Sequence, residues 1–523
     1  MTQAAAAGRL RLVAIEWVRI QLTIRLRPVG GAVTELDASV ALVQLESPAR
    51  MPATRVRWED GDLVARFNVM QGPGQMPLTP GAWRLDAEVD DPEGLLASQT
   101  PTMFPTPRGS YRVSARHADG RHLELQVDLD SPAGRSPASG RRFARRLARA
   151  GLRGSIAVLR RLLAGRRPAI LFMSSTRPAL GGNLKAVHDR MVERGLDRDA
   201  DFIFSFKADL HAPTPWRERL RTPWLLARPA VVVLDDVHPL AARIADPKVP
   251  IVQLWHASGV VKTILYSRVG KPGGPDPWSR DYKQFTAAIV SSEHDVPHFA
   301  EAFGIPEERV KPTGIPRMDR FFVDRARADG REAALAAFPQ ARGRRVILFA
   351  PTFRGAGRTK SYDLEALDYP ALHALCVEKD AVLIIRLHPR MHRSLDIPAE
   401  LSDRLLDGTD AATDAPDILF ATDLLITDYS SIIFEFATLG RPMLFFAPDL
   451  DEYRESVDLY EPYEELVPGR VVRTLAELMD AIRRDDYQES RLAPFVARHI
   501  AHLDGNATDR VIDQLILPGV RRA

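Results

Sequence analysis

Three stretches of this chain place titratable or phosphate-seeking side chains directly after short apolar runs. In VPIVQLWHASGVVK, His256 follows Ile251, Val252 and Leu254. Such a run, bounded by turn formers, reads as a buried strand, so His256 stands where strand gives way to loop, which is where open α/β sheets keep their ligands. An imidazole serves as acid or base near neutral pH, although a histidine merely satisfied at a strand end fits this one stretch equally well. In AVLIIRLHPRMH the strand pattern delivers Arg386, His388, Arg390 and His392 together. Arginine forks match phosphate oxygens, and a histidine among them can donate to a bridging oxygen or protonate it. His388 and His392 have the i, i+4 spacing of a zinc motif, but Pro389 argues against a helix through them and no acidic residue accompanies them, so no metal site is expected. In LLITDYSSIIFEFATLGRP, Thr427, Asp428, Ser430 and Ser431 occupy a turn before a helix that begins near Ile432. A hydroxyl there can cap the helix, and the free N–H groups of a helix start can seat an anion. Glu435, one turn in and surrounded by apolar residues, needs a partner and could reach a ribose.

The elements that must position these groups alternate from Pro168 onward. PAILFMSS, PAVVVLDD, VPIVQLWH and FTAAIVSS are separated by helical patterns such as GNLKAVHDRMVERG, and the pattern restarts with RRVILFAPTFR, AVLIIRLHP, ATDLLITDYSS and RPMLFFAPD after an Arg-rich helical connector around Phe321 to Gly343. Short apolar strands alternating with helices predict parallel sheets, here two Rossmann-like domains over 168–335 and 336–523 with a cleft along their strand ends. Before them, residues 1–135 carry a period of two, in Val18, Ile20, Leu22, Ile24 and Leu26, in Trp83, Leu85, Ala87 and Val89, and in Leu123, Leu125, Val127 and Leu129. With Asp60-Gly61 as a hairpin turn, this predicts a sandwich-like antiparallel β-domain with no catalytic constellation of its own.

Residues 136–167 change character. Arg141, Arg142, Arg145, Arg146, Arg149, Arg153, Arg160, Arg161, Arg166 and Arg167 occur with no acidic residue among them. Leu152, Ile156, Leu159 and Leu163 follow helical spacing, and Gly151 and Gly154 are expected to break this half from the first. A solvated linker helix and a surface for anionic lipid or polymer both fit; nucleic acid fits least, because Phe143 is the sole interleaved aromatic.

At 523 residues the chain exceeds one hydrophobic core, and roughly 150 residues per domain suggests about three. With 45% hydrophobic and 27% charged residues, wholesale disorder and a membrane bundle are both excluded. The net charge of +3, from 71 basic and 68 acidic side chains, leaves any electrostatic message local. The single cysteine, Cys376, excludes an intramolecular disulfide framework and reads as a buried helical position. Arginines interrupt the N-terminal apolar stretch, so no secretory signal is recognised, and the expectation is a cytoplasmic protein with at most peripheral contact to the inner membrane face.

Taken together, TDYSSIIFEFATLGRPMLFFAPDLDEY, TGIPRMDRF, APTFR, RLHP and YEELVPGRVV resemble the CDP-glycerol glycerophosphotransferase family, bacterial enzymes that build teichoic-acid-type polyol phosphate polymers; the similarity runs over roughly Pro250 to Thr474. The resemblance implies a GT-B-like pair of Rossmann-like domains, an acceptor domain followed by a CDP-donor domain. It implies His256 as catalytic base, and His388, able to protonate a bridging oxygen among the arginines, is taken with it as a second catalytic group. Arg386, Arg390, Thr427, Asp428, Ser430, Ser431 and Glu435 fall on the donor side, and Ser258 and Lys262 on the acceptor side. The family pattern His-Gly-Thr-Pro-Leu-Lys is here His256, Ala257, Ser258, Gly259, Val260, Val261, Lys262, with the lysine one position later. The implied partners are CDP-glycerol or a related CDP-polyol and a lipid-linked or polymer acceptor, with no further cofactor. A glycosyltransferase on the same scaffold and a noncatalytic polyanion-binding protein are the alternatives.

Overall fold

The computed structural model describes residues 9–29, 40–130, 139–207, 216–238, 240–241, 244, 248–279, 282–354, 367–388, 395–409 and 415–522. The N-terminal alternation builds two sheets. One runs in the order Arg55–Glu59, Asp62–Asn68, Gln21–Pro28, Leu10–Val18, Val89–Asp90, and the other in the order Arg50–Pro52, Ala41–Gln44, Gly81–Leu85, His122–Asp130, Gly109–Ala118, Thr102–Thr106. All pairs are antiparallel except Leu10–Val18 with Val89–Asp90, which is parallel. Inward residues of both sheets, among them Leu22, Ile24, Phe67, Trp83 and Leu125, form one core. Asp60 and Gly61 take positive φ (53° and 83°) in the expected hairpin.

The stretch WVRIQLTIRL is not one strand, because the chain reverses at Arg19 (φ 57°), and Val18 is left 50% exposed while Ile20, Leu22, Ile24 and Leu26 are buried. The alternation continues in phase through the hairpin, which hides the turn. That reversal points Arg19 at Glu301 of the next domain, with Nε 2.7 Å from Oε1.

Each α/β unit holds a six-stranded, all-parallel sheet. The first has the order Asp201–Phe206, Ala169–Ser174, Val231–Leu234, Ile251–Gln253, Ala287–Ile289, Val310–Lys311. The second has the order Leu405–Asp407, Ala381–Ile385, Arg345–Ala350, Leu424–Thr427, Met443–Phe446, Arg470–Val472, the doubly wound arrangement whose switch point lies between its third and fourth strands. Helices cover both faces, so the central strands are apolar along their length rather than alternating. The connector helix Asp324–Ala337 lies against Ala415–Ala421, and Gly330 allows the approach: a Cβ there would stand 2.5 Å from Phe420.

The helix Ser139–Leu162 runs unbroken through Gly151 and Gly154, contrary to the break expected from sequence. Each glycine costs a helix about 1 kcal/mol, and docking offsets it: Leu152 and Ile156 pack on the core that contains Leu225 and Leu226. The side chains of residues 139–149 and of Arg153 lie outside the described part. Among the described residues no helix is long and apolar enough to cross a membrane.

The chain end also departs from the expected boundary, which carried the second unit to residue 523. Ala507–Val511, Ile512–Ile516 and Leu517–Val520 follow one another directly and return to the first unit. There Asp319 accepts hydrogen bonds from the Ala507 and Thr508 amides at 2.9 and 2.8 Å. A Cβ at Gly519 would stand 2.3 Å from Val231 Cγ2, so the chain end sits directly on the first sheet. Gly519→Leu is therefore expected to cost about 1–3 kcal/mol by overpacking, read as a lowered melting temperature; an unchanged melting temperature would show that this end does not dock.

Candidate active site

His256 stands three residues beyond the strand Ile251–Gln253, where Trp255 takes a left-handed backbone (φ 52°) and turns the chain out of the sheet. Buried side chains hold that turn. Gln253 Oε1 accepts from the Trp255 amide at 2.8 Å, and its Nε2 donates to the Asp236 carbonyl at 3.1 Å. Asn183, in the first turn of the helix Gly182–Glu193, donates to the carbonyls of Leu254 and Trp255 at 3.2 and 2.7 Å and accepts from the Arg317 amide at 3.1 Å. The Arg317 guanidinium donates to the His256 carbonyl, to Ser258 Oγ at 3.1 Å and to Glu435 Oε1 at 2.6 Å.

The imidazole Nδ1 lies 3.4 Å from the Asp235 carbonyl oxygen. A carbonyl can only accept, so this contact favours the tautomer with the proton on Nδ1 and leaves Nε2 as an acceptor. By surface area the ring is exposed at the seam between the domains, yet protein crowds it on the other sides. That desolvation holds its pKa below the ordinary 6.5, Asp236 opposing and Arg317 reinforcing the shift, so the ring is neutral at pH 7. Beneath it, burial pushes the Asp235 carboxyl up to about 6 against the pull of Ser174 and Arg177. The adjacent His238 is pushed down to about 4 by its burial and by Lys207.

On the second sheet, three loops meet at the switch point. Arg386 and His388 follow Ala381–Ile385; Arg386 is half-buried, and His388 is exposed with its ring 5.8 Å from that of Phe353 at an interplanar angle of 24°. Asp428 follows Leu424–Thr427 and is buried; its Oδ1 accepts from the amides of Thr352 and Tyr429 at 2.8 and 2.6 Å, and its Oδ2 lies 2.7 Å from Arg354 Nη1. Arg354 is bound in turn to Asp449 at 2.7 Å and lies over Tyr429 and Tyr453, whose rings stack at 3.7 Å. Thr427 Oγ1 donates to the Ala350 carbonyl at 2.7 Å. Thr427 and Asp428 thus fix the loops after Arg345–Ala350 and Leu424–Thr427 to one another.

Ser430 and Ser431 are partly exposed at this edge. Ser431 occupies the N-cap position of Ile432–Ala437 without a side-chain capping bond, and it is Ser430 Oγ that accepts from the Ile432 amide, at 3.3 Å. The capping expected of this turn is therefore limited to one hydroxyl. Arg390 and His392 lie outside the described residues.

The structure brings Ser258 and Glu435 together across the seam. Ser258 Oγ donates to Glu435 Oε1 at 3.0 Å, beside the Arg317 ion pair, so the partner that the apolar setting of Glu435 demanded comes from the other domain. Lys262 is half-buried and bridges to Leu459 through its backbone, and burial lowers its pKa despite the nearby Asp428. The flanking Thr263 donates through its amide to the Asp458 carbonyl at 3.1 Å and through Oγ1 to the Val457 carbonyl at 2.6 Å. Gly259 is required by the same packing, since a Cβ there would fall 2.5 Å from Phe434. Asn183, Asp235, Asp236, Arg317 and Arg354 were not singled out from sequence. Four of the five stand just beyond or soon after a strand, in PAVVVLDD, APTFR and PTGIPRMD, and a polar residue in that position was their available signal.

Two parallel-sheet units that meet through the loops at their strand C-terminal ends, with a neutral histidine on one side and an Arg/His/Ser edge on the other, define a GT-B-like architecture. Residues 156–517 match the model of the family described as CDP-Glycerol:Poly(glycerophosphate) glycerophosphotransferase, and the chain belongs to that family. It is 40% identical to the teichoic acid ribitol-phosphate polymerase TarK of Staphylococcus aureus, over 67% of this chain and 68% of the relative, and 38% identical to TarL of the same organism, over 66% and 62%. It thus spans about two thirds of the length of these relatives. Relatives named for glycerol phosphate match at 26–27% identity. The wall teichoic acid polymerase TagF superposes with a TM-score of 0.56 at 21% identity, over 74% of this chain and 99% of that one, which establishes a shared fold.

His256→Ala is expected to leave the fold intact and to slow transfer by about 10²–10⁴. Because the folded ring resists protonation, the wild-type kcat/KM should stay flat through neutral pH and fall on the acid side with a midpoint below 6.5. A midpoint above that value, or a folded mutant with full turnover, would remove His256 from the base role.

Proposed function

We propose that the protein transfers a polyol phosphate from a CDP-activated donor to a hydroxyl of a lipid-linked or polymeric acceptor of the cell envelope. The observation that carries this reading is the placement of His256, whose Nδ1 lies 3.4 Å from the Asp235 carbonyl oxygen and so leaves Nε2 as the acceptor at the seam. In the proposed reaction Nε2 takes the proton of the acceptor hydroxyl, whose oxygen attacks the phosphorus that carries the polyol. A new phosphodiester forms, the pyrophosphate bridge breaks, and CMP leaves with its bonding electrons. Arg386, His388 and Arg390, with the hydroxyls of Ser430 and Ser431, hold the phosphoryl oxygens and the leaving phosphate, where charge accumulates. Thr427 and Asp428 shape the donor loops, Glu435 sets the seam from the donor side, and Ser258 and Lys262 face it from the acceptor side. The donor is itself the activated group, so the chemistry calls for no further cofactor.

Ribitol is the favoured polyol, since the relatives named for ribitol phosphate are nearer in sequence than those named for glycerol phosphate. CMP release from a panel of CDP-polyols with a lipid-linked acceptor tests both statements. Turnover should be highest with CDP-ribitol, and His388→Ala and Arg386→Ala should each weaken donor use; absence of CMP release with every donor would sink the reading.

The Arg-rich helix supports peripheral attachment to an anionic membrane face. Its docked residues leave Val158 and Leu162 58% and 72% exposed beside the exposed Arg161. A basic residue near an anionic leaflet contributes about 1 kcal/mol, so engagement of a few arginines gives salt-sensitive adsorption. Replacing Arg145, Arg146, Arg149 and Arg153 by Gln should abolish sedimentation with anionic vesicles at low salt and leave transfer to a soluble acceptor unchanged. If the wild type ignores such vesicles, the helix is an interdomain connector alone.

A further inference from the structure

Three potential metal ligands that the proposed chemistry does not use converge from the two α/β units. His294 lies in the turn Glu293–Asp295 and His298 in the helix Val296–Phe303 that continues it, so the two are i, i+4 neighbours on the first unit. Glu461 follows Tyr460 in the segment of the second unit that pairs with Val261 and Thr263. His294 Nε2 is 2.5 Å and His298 Nε2 3.6 Å from Glu461 Oε1, and one ligand atom from each of the three lies within 4.8 Å of the others. Arg498 holds the other carboxylate oxygen, Oε2, at 2.7 Å. All three ligands are partly buried, with side-chain exposures of 28%, 18% and 14%.

We propose that His294, His298 and Glu461 form a binding site for a single zinc-class dication that ties the two α/β domains together. Two imidazoles and one carboxylate are a donor set that zinc takes with a fourth position open to water, and imidazole ligands disfavour Mg²⁺ and Ca²⁺. Bonds of about 2.0–2.1 Å place tetrahedral ligands about 3.3 Å apart. The His298–Glu461 separation is already close to that, and the His294–Glu461 contact has to open by less than about 1 Å, within reach of side-chain rotation. Arg498 sits where an outer partner orients a ligating carboxylate, leaving Oε1 to the ion. None of the three ligands is among the residues assigned to the transfer, and the proposal does not depend on the transferase reading.

The test uses the full-length protein, stripped with EDTA, loaded with ZnCl2 and passed through gel filtration before metal analysis. One zinc per chain is expected to remain, with a melting temperature above that of the stripped protein, and Co²⁺ in its place should give the visible absorption of a tetrahedral centre. His294→Ala, His298→Ala and Glu461→Gln should each lower zinc affinity by more than about 100-fold, the upper range for loss of an outer partner alone. His294→Gln, which keeps a hydrogen-bonding side chain, should fold like the wild type in EDTA and still lose the metal. A stripped and reloaded wild type that retains no zinc, or variants that retain it with unchanged stoichiometry and affinity, would overturn the proposal and leave the cluster as an interdomain ion pair.

Discussion

The geometry of the seam depends on one guanidinium. Arg317 comes from the first unit, yet it reaches the carbonyl of the candidate base, the hydroxyl of Ser258 and the carboxylate of Glu435 on the second unit. Both charges are largely withdrawn from water, at 19% and 9% side-chain exposure. A buried pair of this kind contributes little net stability against an apolar pair of equal size, but it tolerates only one arrangement, because removing either partner leaves the other charge unpaired. Its value here is positional. The loop that carries His256 and the helix that follows the DYSS turn are set relative to each other by this cluster, in which Ser258 also donates directly to Glu435.

The second unit follows the same logic one layer deeper. Asp428 reads in the sequence as a residue available to a nucleotide, and the structure spends its oxygens on the Thr352 and Tyr429 amides and on Arg354. Arg354 in turn bridges to Asp449 over a stacked pair of tyrosines. Ser430 and Ser431, left partly exposed at that edge, therefore project from a loop whose backbone is fixed by buried charge. Preorganisation of this sort lets hydrogen-bond donors act on developing charge without reorganising at the moment of reaction.

Much of this was legible because parallel strands announce themselves. Continuous apolar runs located the four central strands of each sheet but not the edge strands Asp201–Phe206, Val310–Lys311, Leu405–Asp407 and Arg470–Val472, and the polar residues at the ends of the located strands marked His256, His388 and the DYSS turn. What escaped depended on contacts distant in sequence. Arg317 lies 61 residues from His256 and 118 from Glu435, and no periodicity joins them. The reversal at Arg19 was hidden because the hairpin kept the alternation in phase, and Gly151 and Gly154 were misread because the docking that offsets their cost comes from Leu225 and Leu226. The return of residues 507–522 to the first unit was invisible for the same reason: it rests on Asp319 and on a missing Cβ at Gly519.

That return has a mechanical consequence. The backbone passes between the α/β units twice, once through the helix Asp324–Ala337 and again beyond Leu492–His499. Two bodies joined at one point can swivel about any axis; joined at two, they keep one rotation that stretches neither strap, the one about the line between the attachments. Any opening of the seam must then be a swing on that line, like a door on two hinges, and its arc is widest at the rim farthest from the straps.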